Sequence, residues 1–252
     1  MSKIDPFSSK NALYLDIGNS SIKGAYKIGL NWKSLEVDKL VSAERFVHWI
    51  NTHSGSFSEI VVSSVRKDVV EVIQQQLPDI HFKELSAKDI PRRMLNYETI
   101  DTLGIDRFLA CYGAMDQTNN SVVVIDAGTA ITIDYMDEND VYHGGVIAPG
   151  LAGFGEILPD KAPALPNVEM GIPKTWPGKS TLDSLKWGKA GFYKMALEGF
   201  LEKYEDEFGS FDLFITGGDG AVVKALISRE SKLRPFLVFD GMNRIKDTLK
   251  NE

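Results

Sequence analysis

One short pattern in this chain is written twice. Leu13-Tyr14-Leu15-Asp16-Ile17-Gly18-Asn19-Ser20-Ser21-Ile22-Lys23 runs from apolar residues to a carboxylate, a glycine and small polar groups, then turns apolar again; Val124-Ile125-Asp126-Ala127-Gly128-Thr129-Ala130-Ile131 repeats it. Asp16 aligns with Asp126, Gly18 with Gly128 and Asn19 with Thr129. With one residue removed from the first copy, Ile22 falls on Ile131 and Tyr26 on Tyr135. A repeated supersecondary unit constrains a fold more than local propensity does. It predicts two similar lobes, each opening on strand, acidic glycine turn and strand.

The sequence between and after the copies fits that plan. "ALYLDIG", "SIKGAYKIG" and "SLEVDKLVSA" predict an antiparallel meander with Gly, Asn and Ser at its turns. "AERFVHWIN" then reads as helix, "EIVVSSV" as strand, "KDVVEVIQQQL" as helix and "HFKEL" as strand. Ile105, Phe108, Leu109, Tyr112 and Met115 recur at helical spacing until "QTNNS" interrupts them, which sets the lobes at 1–118 and 119–252. In the second lobe "SVVVIDAGTAITIDYMDENDVYHGG" supplies strands and turns. "LDSLKWGKAGFYKMALEGFLEKYEDEF" is a long helix with glycines as weak points, "DLFITGG" a strand, "GAVVKALISRE" a helix and "PFLVF" a last strand. The fold class expected is α/β, two duplicated lobes, each a mixed sheet flanked by helices.

Composition narrows the function. A net charge of -7 gives no basic field for nucleic acid or an anionic membrane surface, and no segment approaches the roughly 20 apolar residues of a bilayer span. The N-terminal stretch has no apolar leader core, and Cys111, the single cysteine, forms no intramolecular disulfide. A cytoplasmic protein is expected. His48, His53, His81 and His143 lack the spacing of a zinc site.

The acidic turns carry the chemistry. Glycine lets backbone N–H groups face a ligand without a Cβ in the way, which is how short loops cradle phosphate oxygens. Asn19, Ser20 and Ser21 add neutral donors and Lys23 a cation. A carboxylate beside such a nest repels a bare phosphate, so Asp16 and Asp126 require a cation between, and magnesium suits oxygen ligands and phosphate. Either aspartate alone is explained by capping of its own turn. Two copies are not. "PGKST" at 177–181 imitates a phosphate loop, but Pro173 stands where that pattern needs glycine and no hydrophobic strand leads into it.

Taken in order, "DIGNSSIK", "GIDR" at 104–107, "DAGTA" at 126–130, "GGVIAPG" at 144–150, "ST" at 180–181 and "ITGG" at 215–218 resemble type III pantothenate kinases. That family belongs to the superfamily of acetate and sugar kinases, heat-shock ATPases and actin. The resemblance covers almost the whole chain beyond the first dozen residues. It implies actin-like (ribonuclease H-like) lobes with an interlobe nucleotide cleft, and ATP-dependent phosphorylation of pantothenate to 4′-phosphopantothenate, the first step of coenzyme A synthesis.

By the same resemblance Asp16, Ile17, Gly18, Asn19, Ser20, Ser21, Ile22 and Lys23 line the ATP phosphates, with Asp16 organising Mg2+ directly or through water. Thr129 contacts ATP, Gly217 and Gly218 receive its adenosine end, and Asp126 binds a monovalent cation, K+ or NH4+. Gly104, Ile105, Asp106 and Arg107 form the pantothenate site. Asp106 is the general base and Arg107 the partner of the substrate carboxylate, joined by Tyr97 and Thr181. Gly144, Gly145 and Gly150 let the backbone approach phosphate and substrate. Ile100 stands where the family usually has proline. The resemblance also implies a homodimer with the substrate pocket at the subunit contact. Phe108, Leu109 and Tyr112 are candidates for that contact or for the core of their own lobe. The alternatives are another small-molecule phosphotransferase of the superfamily, or a non-catalytic accessory protein that keeps the fold.

Overall fold

The computed structural model describes residues 11–18, 22–35, 43–53, 57–154 and 161–249. Two five-stranded sheets organise them. The first runs in the order β3-β2-β1-β4-β5, with β1 Asn11–Ile17, β2 Ile22–Ile28, β3 Asn31–Ser34, β4 Phe57–Ser64 and β5 His81–Leu85. The second runs β10-β9-β6-β7-β8, with β6 Val122–Ala127, β7 Ala130–Met136, β8 Tyr142–Pro149, β9 Asp212–Thr216 and β10 Lys232–Leu233. In each, the first three strands pair antiparallel and the next two add parallel to the central one. The repeat seen in the sequence is therefore a repeat of topology.

Helices α1 Ala43–His53 and α2 Lys67–Gln76 cover one face of the first sheet. Phe46, Val47 and Ile50 of α1 and Val70 and Ile73 of α2 meet Leu13, Leu15 and Ile17 of β1 there. Burying each such side chain contributes about 1.5–3 kcal/mol. In the second sheet Val123, Ile125 and Ile133 pack against Leu197 and Leu201 of α5 (Phe192–Phe208). The long helix expected over 182–208 is continuous, but it passes through a π-turn, Trp187–Gly191, between α4 (Thr181–Lys186) and α5. Of the three glycines read as weak points, Gly188 and Gly191 lie in that turn, and Gly199 lies within α5 without interrupting it.

The third strand lies earlier than "SLEVDKLVSA" suggests, since β3 covers Asn31–Ser34, and 36–42 lie outside the described residues. The last segment differs more. "PFLVF" opens a helix, α7, Leu237–Thr248, and α7 packs along α3, Ile105–Met115. The chain up to Asp116 joins the chain from Phe236 onward in one compact unit, and Gln117–Pro235 forms the other. The C-terminal helix, read from sequence as part of the second lobe, thus belongs with the first. Gly113 and Gly241 permit the approach: a Cβ on either would collide with backbone of the opposite helix. Phe108 and Leu109 are fully buried and Tyr112 nearly so, which makes them core of their own unit rather than a subunit contact. Among the described residues no helix is long and apolar enough to cross a membrane.

Candidate active site

In the first unit, alternation along β1 sends Leu13, Leu15 and Ile17 into the α1/α2 core and Tyr14 and Asp16 to the opposite face. The Tyr14 hydroxyl donates to Asn243 of α7 at 2.7 Å. Half-buried Asp16 lies directly across from Lys23 on β2 and Ser63 on β4. Opposed residues share a face, so the Lys23 ammonium stands on the side of the carboxylate. Ile17 is buried, Gly18 and Ile22 half-buried and Lys23 exposed; Asn19, Ser20 and Ser21 lie outside the described residues.

The segment before α3 is built from 3-10 turns at Ala87–Asp89, Arg92–Met94 and Ile100–Thr102. Arg92 Nη1 donates to the carbonyl of half-buried Tyr97 at 3.3 Å, and the Thr102 hydroxyl to the Thr99 carbonyl at 3.0 Å. These bonds order the loop without the family's proline at Ile100. Gly104 caps α3, and its carbonyl accepts Arg107 N–H at 3.2 Å. Asp106, in the first turn, folds back so that its Oδ1 accepts the same N–H at 3.0 Å. A Cβ at Gly104 would press on that oxygen. A carboxylate here also complements the helix dipole. Ile105 is buried, and Arg107 is only 7% exposed. A charge so withdrawn from water is held in a fixed place by its surroundings.

The second unit draws distant stretches to one point. Asp126 is the penultimate residue of β6, between Thr132 on β7 and Thr216 on β9. Gly128 N–H closes the acidic turn on the Ala130 carbonyl at 3.0 Å, and Gly150 N–H donates to the Thr129 carbonyl at 3.1 Å. Gly217 has φ 89°, open to glycine, and a Cβ there would strike the Ala127 carbonyl and the Asp126 carboxylate. Asp219 N–H donates to the Ala127 carbonyl at 2.9 Å, just ahead of α6, Gly220–Leu226. Asp126, the Gly128–Thr129 turn, Gly150 and Gly217 are therefore neighbours, with Thr129 and Gly218 exposed.

Other expected residues fall differently. Gly144 and Gly145 lie within β8, paired with Tyr135 and Asp134, and a Cβ on Gly145 would strike the Ile133 carbonyl. A Cβ on Gly145 would thus press on the neighbouring strand, and one on Gly150 on the carbonyls of the acidic turn. Thr181, exposed, opens α4 behind Ser180, whose hydroxyl accepts Asp183 N–H at 3.1 Å. With Leu165, Gly178, Lys179, Ser184 and Leu185 it lines a groove of about 720 Å³. No described strand leads into "PGKST".

Sequence reasoning missed Ser63 and Thr216. Each is buried and stands beside an acidic residue on the parallel neighbour of the central strand, so the duplication extends to a flanking hydroxyl. Carrying the repeat beyond the acidic turns to "VVSS" and "FITGG" would have found them. No group of three or more His, Cys, Asp and Glu among the described residues could hold a metal ion by itself. Single carboxylates beside glycine turns fit a cation shared with phosphate oxygens and water, which is how magnesium is usually held.

Two sheets of matching strand order, each ending its central strand in an acidic turn, define an actin-like ATPase fold. EutJ from Carboxydothermus hydrogenoformans shares that fold, with a TM-score of 0.51 at 10% identity over 94% of this chain and 90% of its own. A protein assigned to the Baf family of transcriptional activators, from Campylobacter jejuni, is more similar: TM-score 0.64, 26% identity, 95% of this chain and 100% of that one. The type III pantothenate kinase family matches residues 12–203, and the Flavobacterium johnsoniae type III pantothenate kinase is 34% identical over 82% of this chain and 85% of its own length. The chain belongs to the type III pantothenate kinase family. It is a kinase, with pantothenate phosphorylation in coenzyme A synthesis as its activity and ATP as phosphoryl donor.

Proposed function

We propose that the two acidic turns and the segment Gly104–Arg107 carry this reaction. The observation that supports it best is the meeting of Asp126, Thr129, Gly150 and Gly217 at one point, with Asp16 and Lys23 at the corresponding strand end of the first unit. Backbone N–H groups of the first turn, with Asn19, Ser20, Ser21 and Lys23, bind ATP phosphates. Thr129 adds a contact and Gly217-Gly218 accepts the adenosine end. Asp16 organises Mg2+ and Asp126 a monovalent cation, K+ or NH4+. When bound, these cations neutralise charge on the transferring phosphoryl group.

Arg107 pairs with the pantothenate carboxylate, and Tyr97 and Thr181 line the substrate. Asp106 accepts the proton of the primary hydroxyl as its oxygen bonds to the γ-phosphorus; the bond from that phosphorus to the β,γ-bridging oxygen breaks and ADP departs. The loose transition state makes positioning and charge stabilisation the larger share of catalysis. We place the enzyme in the cytoplasm, as a homodimer whose substrate pocket lies at the subunit contact, made by residues other than Phe108, Leu109 and Tyr112.

A coupled ADP-release assay tests this. Pantothenate should drive ADP formation, more in potassium than in sodium, and Asp106→Asn should lower kcat by about 10²–10⁴ with the fold intact. Asp126→Ala should flatten the potassium response. Absence of pantothenate-dependent ADP would reject the reading, and turnover of another acceptor would favour a sibling phosphotransferase. The Baf-family likeness supports a second reading, a regulatory protein retaining the fold. A net charge of -7 offers little attraction to nucleic acid, and turnover would exclude a purely regulatory role. Light scattering decides the assembly, since a monomer at high concentration removes the shared pocket.

A further inference from the structure

The repeat allows the two acidic turns to be compared position by position. In the first unit Asp16 on β1 stands between Lys23 on β2 and Ser63 on β4; in the second, Asp126 on β6 stands between Thr132 on β7 and Thr216 on β9. Both aspartates are half-buried, and the residues on the parallel side, Ser63 and Thr216, are both buried hydroxyls. The alignment that sets Ile22 on Ile131 also sets Lys23 on Thr132, so sequence and strand register give the same correspondence. Carboxylate and buried hydroxyl are kept in both copies. The antiparallel position changes its charge: lysine in the first unit, neutral threonine in the second.

That exchange bears on how each carboxylate tolerates a phosphate beside it. Residues directly opposite in an antiparallel pair have Cβ atoms about 4.5–5.5 Å apart, within reach of a lysine stem. Lys23 can therefore set its ammonium beside Asp16 and offset the repulsion between carboxylate and phosphate. In the second unit one Asp126 oxygen lies against Gly217, on the β9 side, and Thr132 stands across the carboxylate on the β7 side. Half-buried Thr132 brings a hydroxyl oxygen, the kind of ligand a hard cation takes, and no charge of its own.

We infer that Thr132 is the residue that makes this kinase depend on a monovalent cation. Potassium or ammonium beside Asp126 does in the second unit what the Lys23 ammonium does in the first, and Thr132→Lys would carry that charge in the chain itself. The inference rests on reading Asp126 as the monovalent-cation site.

The test titrates ADP with magnesium calorimetrically into wild type, Thr132→Lys and Thr132→Gln, each in potassium chloride and in tetramethylammonium chloride at one ionic strength. Wild type should bind ADP about five- to hundredfold more tightly in potassium, the range of an ordinary coupling between two ligands. Thr132→Lys in tetramethylammonium should bind within about threefold of wild type in potassium, and should gain less than about twofold when potassium is added. Thr132→Gln, similar in length but neutral, should stay weak in tetramethylammonium. The converse exchange, Lys23→Thr, should weaken ADP about tenfold and regain part of that as ammonium rises. Melting of the free variants checks their fold, and if Thr132→Lys does not fold, Lys23→Thr decides alone. A folded Thr132→Lys that keeps the wild-type potassium dependence, a Thr132→Gln that matches it, or a Lys23→Thr whose loss ammonium leaves unchanged would overturn the proposal alone. Wild type that binds ADP equally in both salts would overturn the reading of Asp126, and the proposal with it.

Discussion

Two adjacent glycines in the second unit answer to different constraints. Gly217, at φ 89°, lies against the Ala127 carbonyl and the Asp126 carboxylate, whereas a Cβ on Gly218 would meet open space. An L-residue at the first position is strained by its backbone angle and by collision, so Gly217→Ala should cost more than about 1 kcal/mol. Gly218→Ala should stay within about 0.5 kcal/mol. Urea midpoints of the two variants check this. Equal losses would mean that Gly217 is not pinned against the acidic turn. Gly104 differs from Gly217, since its φ is -63° and what an added Cβ would press on is the Asp106 carboxylate, the end of a side chain that can shift.

At the scale of elements, β9 is anchored through Asp212, whose carboxylate accepts the Thr118 hydroxyl at 2.6 Å and lies 3.2 Å from Lys232 Nζ. The Thr118 hydrogen bond, opposed by partial burial and joined by Lys232, holds Asp212 below the usual carboxylate range. A depressed folded value gives stability that is complete above the unfolded pKa of about 3.9 and lost as pH falls through the folded one. Asp212→Asn should therefore cost about 1 kcal/mol at neutral pH, in view of its partial exposure, with the gap to wild type closing below about pH 4. Denaturation midpoints across pH measure it, and a gap constant into acid would contradict the assignment. How legible an element is depends on where its partner lies. The acidic turns could be read because the repeat supplied its own control. "PFLVF" could not: four consecutive apolar residues suit a strand or a helix equally, and Leu237, Val238, Met242 and Ile245 make sense only against α3, far away in the chain.

At the scale of the molecule, the first unit depends on its last helix. Leu237, Phe239, Met242 and Ile245 are buried, each contributing about 1.5–3 kcal/mol, against a total stability of about 5–15 kcal/mol for an ordinary domain. Polar ties reinforce them: Trp32 Nε1 donates to Asp240 at 2.6 Å, Arg244 Nη1 donates to the Tyr112 carbonyl at 2.9 Å, and Lys246 pairs with Glu59. A chain ending at Pro235 should lose protection from hydrogen exchange in β1, β4 and α3. Retained protection there would mean that α7 only decorates the unit.

Because α7 follows the whole of Gln117–Pro235 in sequence, the first unit is closed by residues that leave the ribosome after the second unit has been made. The half synthesised first is thus finished last, and through elongation its α3 surface waits uncovered for a distant segment, a window in which a nascent chain of this design is most exposed to chaperones and to association with its neighbours.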